Sequence, residues 1–139
     1  MTFKFVIQFV NNNMSTHKTL EIWVEGINLV SSIYKITSTF PKEEIYGLVS
    51  QMRRAAISIS SNIAEGAARN SRKEYTRFLN ISLASLAELE TQNIIAQRLG
   101  LIPEQLMTEN INRLRQKLLN FIKFVKSERF RPSQQAHLR

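Results

Sequence analysis

Few side chains in this sequence can do acid–base or nucleophilic chemistry. Two histidines are present, His17 and His137; cysteine is absent, and all 11 acidic residues are glutamate. This inventory excludes a thiolate zinc site, a cysteine nucleophile, an Asp-centred triad and an EF-hand loop. Arg131 and His137 have five residues between them, and an Arg and a His at short spacing on a rigid scaffold can cleave RNA. Here the pair stands in an aperiodic stretch containing Pro132, so nothing local holds its geometry. Glu88 and Glu90 are two apart and fall on different helix faces. No E-x-x-H occurs, which argues against the carboxylate-bridged metal sites of helical bundles. His17, at the start of a helical pattern, reads as a surface residue. The expectation is a protein that is not an enzyme, with no catalytic residue, no metal ligand and no cofactor.

The remaining chemistry is hydrogen bonding and positive charge. Gln51, Arg54, Ser58, Asn62, Glu65 and Arg69 follow one another at steps of three and four, one line along a helix. That line lies about 90° from the apolar stripe of the same segment, so it flanks the core. It suits a polar network between helices or subunits, and contact with a ligand or RNA is the competing reading. Glu65 and Arg69 stand at i, i+4 in the favourable order. Arg53 and Arg54 lie about 100° apart, so at most one joins the line; ion pairing across helices and contact with a polyanion are both open to them. The net charge is +8, and residues 104–139 carry +5 of it. Arg113, Arg115, Lys117, Lys123, Lys126, Arg129 and Arg131 supply most of that excess. A helix and tail so charged can hold phosphates without reading sequence, or can be a solvated cationic face.

Four amphipathic segments must position these groups. Residues 17–38 place Leu20, Trp23, Ile27, Val30 and Tyr34 at helical spacing, widened by Leu29, Ile33 and Ile36. Ser38-Thr39-Phe40-Pro41 ends that helix, and Pro41 suits the first turn of the next. The second segment, 42–69, repeats Ile45, Leu48, Met52, Ala55, Ile59 and Ile63, and is dense in small residues that admit a close neighbour. Ser71 and Glu74 have capping-box spacing and open the third helix, 72–99. Its stripe is Tyr75, Phe78, Leu79, Ser82, Leu86 and Leu89, extended by Ile94, Ile95 and Leu99. Gly100 suits a C-terminal cap and Pro103 a helix start. The last helix, 103–127, carries Met107, Ile111, Leu114, Leu118, Phe121 and Val125. Links of about three to five residues make sequential helices neighbours of opposite direction. The predicted fold is all-α, an antiparallel up-down-up-down four-helix bundle over 17–127. Residues 1–16 are expected to be a disordered extension, with Met14 reading as a natural start, and residues 128–139 a basic flexible tail. No stretch is long and apolar enough to span a bilayer, so no membrane contact is expected, and the lack of cysteine fits the cytoplasm.

The run Q-M-R-R-A-A-I-S-I-S-S-N-I-A-E-G-A-A-R-N-S-R-K-E-Y-T-R-F-L at 51–79 resembles the signature of the 23S rRNA intervening-sequence proteins. The stretch Ala84-Ser85-Leu86-Ala87-Glu88-Leu89-Glu90-Thr91, Trp23 and the Phe40-Pro41 link are similar too, so the resemblance covers about residues 17–126. Departures are Ser60 where the family usually has Pro, Ala67-Ala68 where it often has aromatic-Gly, and Ala84 where Gly is usual. The change at Ser60 should leave the second helix straighter. The resemblance implies a four-helix bundle assembling as a ring-shaped homopentamer. A related group, the accessory variability proteins of diversity-generating retroelements, implies binding of nucleic acid and of a reverse transcriptase. Two functions from different classes follow: a binder of rRNA or another structured RNA, or an oligomeric scaffold for a protein partner.

The helical register has a direct test. Ile59→Ala and Leu86→Ala should each cost about 2–5 kcal/mol if the stripes face a core. A thermal melt in which neither variant loses stability would overturn the register.

Overall fold

A computed structural model describes residues 17–130. Four long helices make up most of them: α1 (His17–Thr37), α2 (Ser50–Ala68), α3 (Arg72–Arg98) and α4 (Thr108–Lys126), with no strand among the described residues. The expected extension at 1–16 lies outside the described residues, as do Arg131, His137 and the side chains of residues 17–20.

Local chemistry explains where the helices stop. At the end of α1, Thr37 Oγ1 donates to Ile33 O (2.7 Å), Ser38 Oγ to Lys35 O (2.7 Å) and Thr39 Oγ1 to Ile36 O (2.8 Å). Three successive hydroxyls thus bond back to carbonyls of the last turn and compete with continuation of the helix. Ser71 caps α3, its Oγ accepting from the Glu74 N–H at 3.2 Å. The other end of α3 closes in a Schellman motif: Leu101 N–H reaches Ala96 O and Gly100 N–H reaches Gln97 O, both at 3.0 Å. Gly100 has φ +72, the left-handed conformation that this closure needs and that side chains disfavour.

Two helix starts come later than the sequence pattern predicts. A 3₁₀ turn (Lys42–Glu44) and a π turn (Ile45–Val49) precede α2, and the backbone leaves helical geometry at Gly47. Pro103 does not open α4. Residues between Gly100 and Thr108 form turns, with positive φ at Gln105 and Met107. Asn93 Nδ2 (2.9 Å) and Gln97 Nε2 (3.3 Å) both donate to Leu106 O, so amides from α3 hold this link outside helical form.

The core is one cluster to which all four helices contribute, including Ile33, Met52, Ile59, Ile63, Leu79, Leu86, Leu89, Leu114, Leu118 and Val125. The expected stripes of α4 and of the first four turns of α3 are buried as written. In α1 the buried arc is rotated: Ile22, Gly26, Leu29, Ile33 and Thr37 face inward with Trp23, while Ile27 and Val30 are half-buried and Tyr34 is exposed. α1 packs against both α2 and α4, so its inward arc is centred between them. Ile45 is exposed because it lies in the irregular turn before α2. At the end of α3, Ile94, Ile95 and Leu99 are exposed while Gln92, Asn93 and Ala96 are buried. There Asn93 donates to Leu106 O of the 101–107 link, a backbone acceptor that an amide side chain satisfies and an apolar one would not.

Contacts between consecutive helices advance along one chain as they retreat along the other. Gly66 meets Tyr75 and Phe78, and Ser58 meets Ser85. Gly26 meets Ser60, and Thr37 meets Arg53. Arg72 meets Phe130, and Asn93 meets Leu106. The packed chain also runs past the expected boundary at 127. Phe130 is buried, its ring 5.6 Å from Tyr75 and 5.9 Å from Phe124, and its carbonyl accepts from Arg72 Nη2 at 2.9 Å. An aromatic side chain with two edge-on ring partners anchors residues that the pattern leaves without a period.

The α1–α2 approach generates a sign-reversal prediction. A Cβ on Gly26 would meet Ser60 Oγ at 2.4 Å but Ser60 Cβ at 3.5 Å, and that buried Oγ has no hydrogen-bond partner. Gly26→Ala should therefore destabilise the native chain by about 1–3 kcal/mol. In a Ser60→Ala background the same change should stabilise by up to about 1 kcal/mol, the helix-propensity gain. Thermal melts of the double-mutant cycle read the reversal.

Candidate polar seam and basic end

The polar line on α2 divides into a packed middle and solvent-facing ends. Ser58 Oγ shares a 2.8 Å hydrogen bond with Ser85 Oγ of α3. Asn62 Nδ2 donates to Ser58 O (2.8 Å) and to Ser58 Oγ (3.0 Å). Nearby, Ser82 Oγ donates to Ile59 O at 2.7 Å. These hydroxyls and the amide stitch α2 to α3 where small side chains let them approach. Glu65 and Arg69 form the expected i, i+4 pair at 2.6 Å, each about half exposed. Gln51 and Arg54 lie exposed at the other end of α2.

Arg53, outside the line, has the more structural place of the arginine pair. Its Nε donates to Thr37 Oγ1 at 3.0 Å and its guanidinium lies 4.3 Å from the Tyr34 ring centre. A cation thus sits at the C-terminus of α1, where the helix dipole favours it.

The cations of α4 fall into two sets. Lys117 lies between Glu21 (2.6 Å) and Glu25 of α1. Those two hydrogen bonds, Glu21's the stronger influence, hold its ammonium above the ordinary lysine range against the opposing effect of burial. Arg113 stands 4.0 Å from Glu25. Arg115 pairs with Glu90 of α3 and donates to Asn112 Oδ1 at 2.7 Å. These three residues, expected to meet phosphates, are engaged by carboxylates of neighbouring helices. Lys123, Lys126 and Arg129, further along, are exposed.

That second set has company which the sequence reading did not single out. Arg72 donates to Phe130 O, so the start of α3 adjoins the end of α4. Arg72 and exposed Lys73 therefore share one end of the bundle with Lys123, Lys126 and Arg129. The signal was available: in a bundle with short links, the α2–α3 turn and the last turn of α4 lie at the same end. Among the described residues, no three His, Cys, Asp or Glu side chains converge as metal ligands would. No helix of the described residues is long and apolar enough to cross a membrane.

The family model for the 23S rRNA-intervening sequence protein matches residues 18–135. The chain belongs to that family. No curated protein matches it. The family match spans the four helices, the Ser58–Asn62–Ser85 seam and the basic end together, so these features occur within one family unit.

The Lys117 pair sets a pH expectation. Because folding raises the lysine's pKa, its contribution is complete below the unfolded value near 10.4 and is lost as pH rises through the higher folded value. Lys117→Met should lower stability by about 0.5–1 kcal/mol at pH 7 and low salt. The gap from the native chain should persist to about pH 10 and close above it. Melts of both proteins across pH 7–12 measure this.

Proposed function

We propose that this chain is a non-enzymatic nucleic-acid-binding protein whose ligand is rRNA or another structured RNA, held through its phosphates at the basic end of the bundle. One observation carries the reading. Lys123, Lys126 and Arg129 are exposed and share an end with Arg72 and Lys73, while Arg113, Arg115 and Lys117 are engaged by Glu25, Glu90 and Glu21. Exposed cations on one end of a small domain bind phosphates and release counterions without reading sequence.

The helix contacts, which advance on one helix as they retreat on the next, support an antiparallel up-down-up-down bundle. The family resemblance supports a homo-oligomer, a ring of five in the cytoplasm. Repetition of the basic end around a ring would multiply weak phosphate contacts. A second reading, an oligomeric scaffold for a protein partner such as a reverse transcriptase, is favoured by the exposed Ile94, Ile95, Leu99 and Leu106 at the opposite end.

Light-scattering mass with and without a structured rRNA fragment, at low and high salt, separates the two. RNA uptake at low salt and release at high salt is the expected outcome. The K123A/K126A/R129A variant should bind about tenfold more weakly or worse, with a salt slope lower by about 2–3. An oligomer indifferent to RNA at low salt would favour the scaffold, and a monomer would remove the ring.

A further inference from the structure

At the end of the bundle opposite the basic residues, an open groove of about 710 Å³ separates the last turn of α1 from the turns that lead into α2. Its lining includes Lys42, Arg53 and Arg54 and no carboxylate. Two exposed aromatic rings stand in it. Tyr46 is 96% exposed, carried on the irregular Ile45–Val49 turn that holds it off the helix. Tyr34 is stacked by the Arg53 guanidinium at 4.3 Å, and Arg53 is itself fixed by its 3.0 Å hydrogen bond to Thr37. Exposed Ile57 adds an apolar wall.

A ligand that satisfies this surface is anionic and planar at once. Phosphates match Lys42 and Arg54, and flat aromatic faces match the Tyr46 ring and the Arg53–Tyr34 stack. We propose that the groove binds unpaired nucleotides of an RNA, stacking bases on Tyr46 and on the Arg53–Tyr34 pair while Lys42 and Arg54 hold the backbone. Cationic grooves with aromatic platforms hold single strands in this way, because every base has a π-face. The volume is that of a small-ligand site, enough for a short single-stranded stretch. The inference rests on the nucleic-acid reading above but uses the other end of the molecule, so one RNA can present paired phosphates to one end and a loop to the other.

The test is fluorescence anisotropy of a labelled single-stranded hexaribonucleotide and of a short RNA duplex, titrated with the native chain, Y46A, R54Q and K123A/K126A/R129A. Y46A and R54Q should bind the single strand about tenfold more weakly or worse, keep native duplex affinity and melt as the native chain does. Tyr46 and Arg54 are exposed, so loss of folding does not obscure the result. Native single-strand affinity in Y46A, with duplex binding lost in the triple variant, overturns the groove and leaves the basic end standing. No binding of either RNA to the native chain at low salt overturns both. A fall in light-scattering mass for Y46A without RNA assigns the groove to a second copy of the chain. An acidic amphipathic peptide that binds the groove and is not displaced by the strand assigns it to a protein. Either of these last two results also overturns the inference.

Discussion

The structure depends on how closely α1 and α3 pass along the small-residue faces of α2. Gly66 leaves room for Tyr75 and Phe78 of α3, where a Cβ would lie 2.8 Å from one side chain and 2.9 Å from the other. On the other flank, Ser60 fills the space that Gly26 leaves open on α1. Close approach lets short hydroxyls span the α2–α3 gap, which is why Ser58, Ser82 and Ser85 can bond across it. A longer polar side chain there would need more room, and an apolar one would leave the Ile59 carbonyl with one partner fewer. The buried core on either side then closes around helices whose separation is already set.

Charge is arranged around that frame by compensation. α1 offers Glu21 and Glu25 to α4, and α3 offers Glu90. These pairs lie where α4 packs against neighbours, so cations there are matched at short range. Lys123 and Lys126, in the last turn of α4, are exposed at the negative end of its dipole. The net positive charge of the chain therefore becomes a directional feature of the fold.

The two ends of the bundle differ in kind. One is basic and closed by the Tyr75, Phe121, Phe124 and Phe130 rings. The other is built from irregular turns, with Tyr46, Ile94 and Leu99 in solvent and the amides of Asn93 and Gln97 holding a backbone carbonyl. At the first, Ser71 caps the start of α3, whereas at the second the π turn, the Gly47 break and two left-handed residues re-aim the chain.

Much of the fold was legible from the sequence because its causes are local. Period, caps and breakers act within about four residues. They determined four helices, the Ser71 start and Gly100 end of α3, and the inward faces of α4 and of most of α3. The line from Gln51 to Arg69 was legible as a line, since spacing alone defines it. Whether its members bond across helices was not, since Ser85 stands 27 residues from Ser58. Tertiary packing decided the rotation of α1, the late starts of α2 and α4 and the anchoring of Phe130. It also decided which cations are compensated: Lys117 and Glu25 are 92 positions apart and meet only because α1 and α4 pack side by side. A pattern along the chain records what each residue prefers; the partner that satisfies it is chosen by the distance between helices.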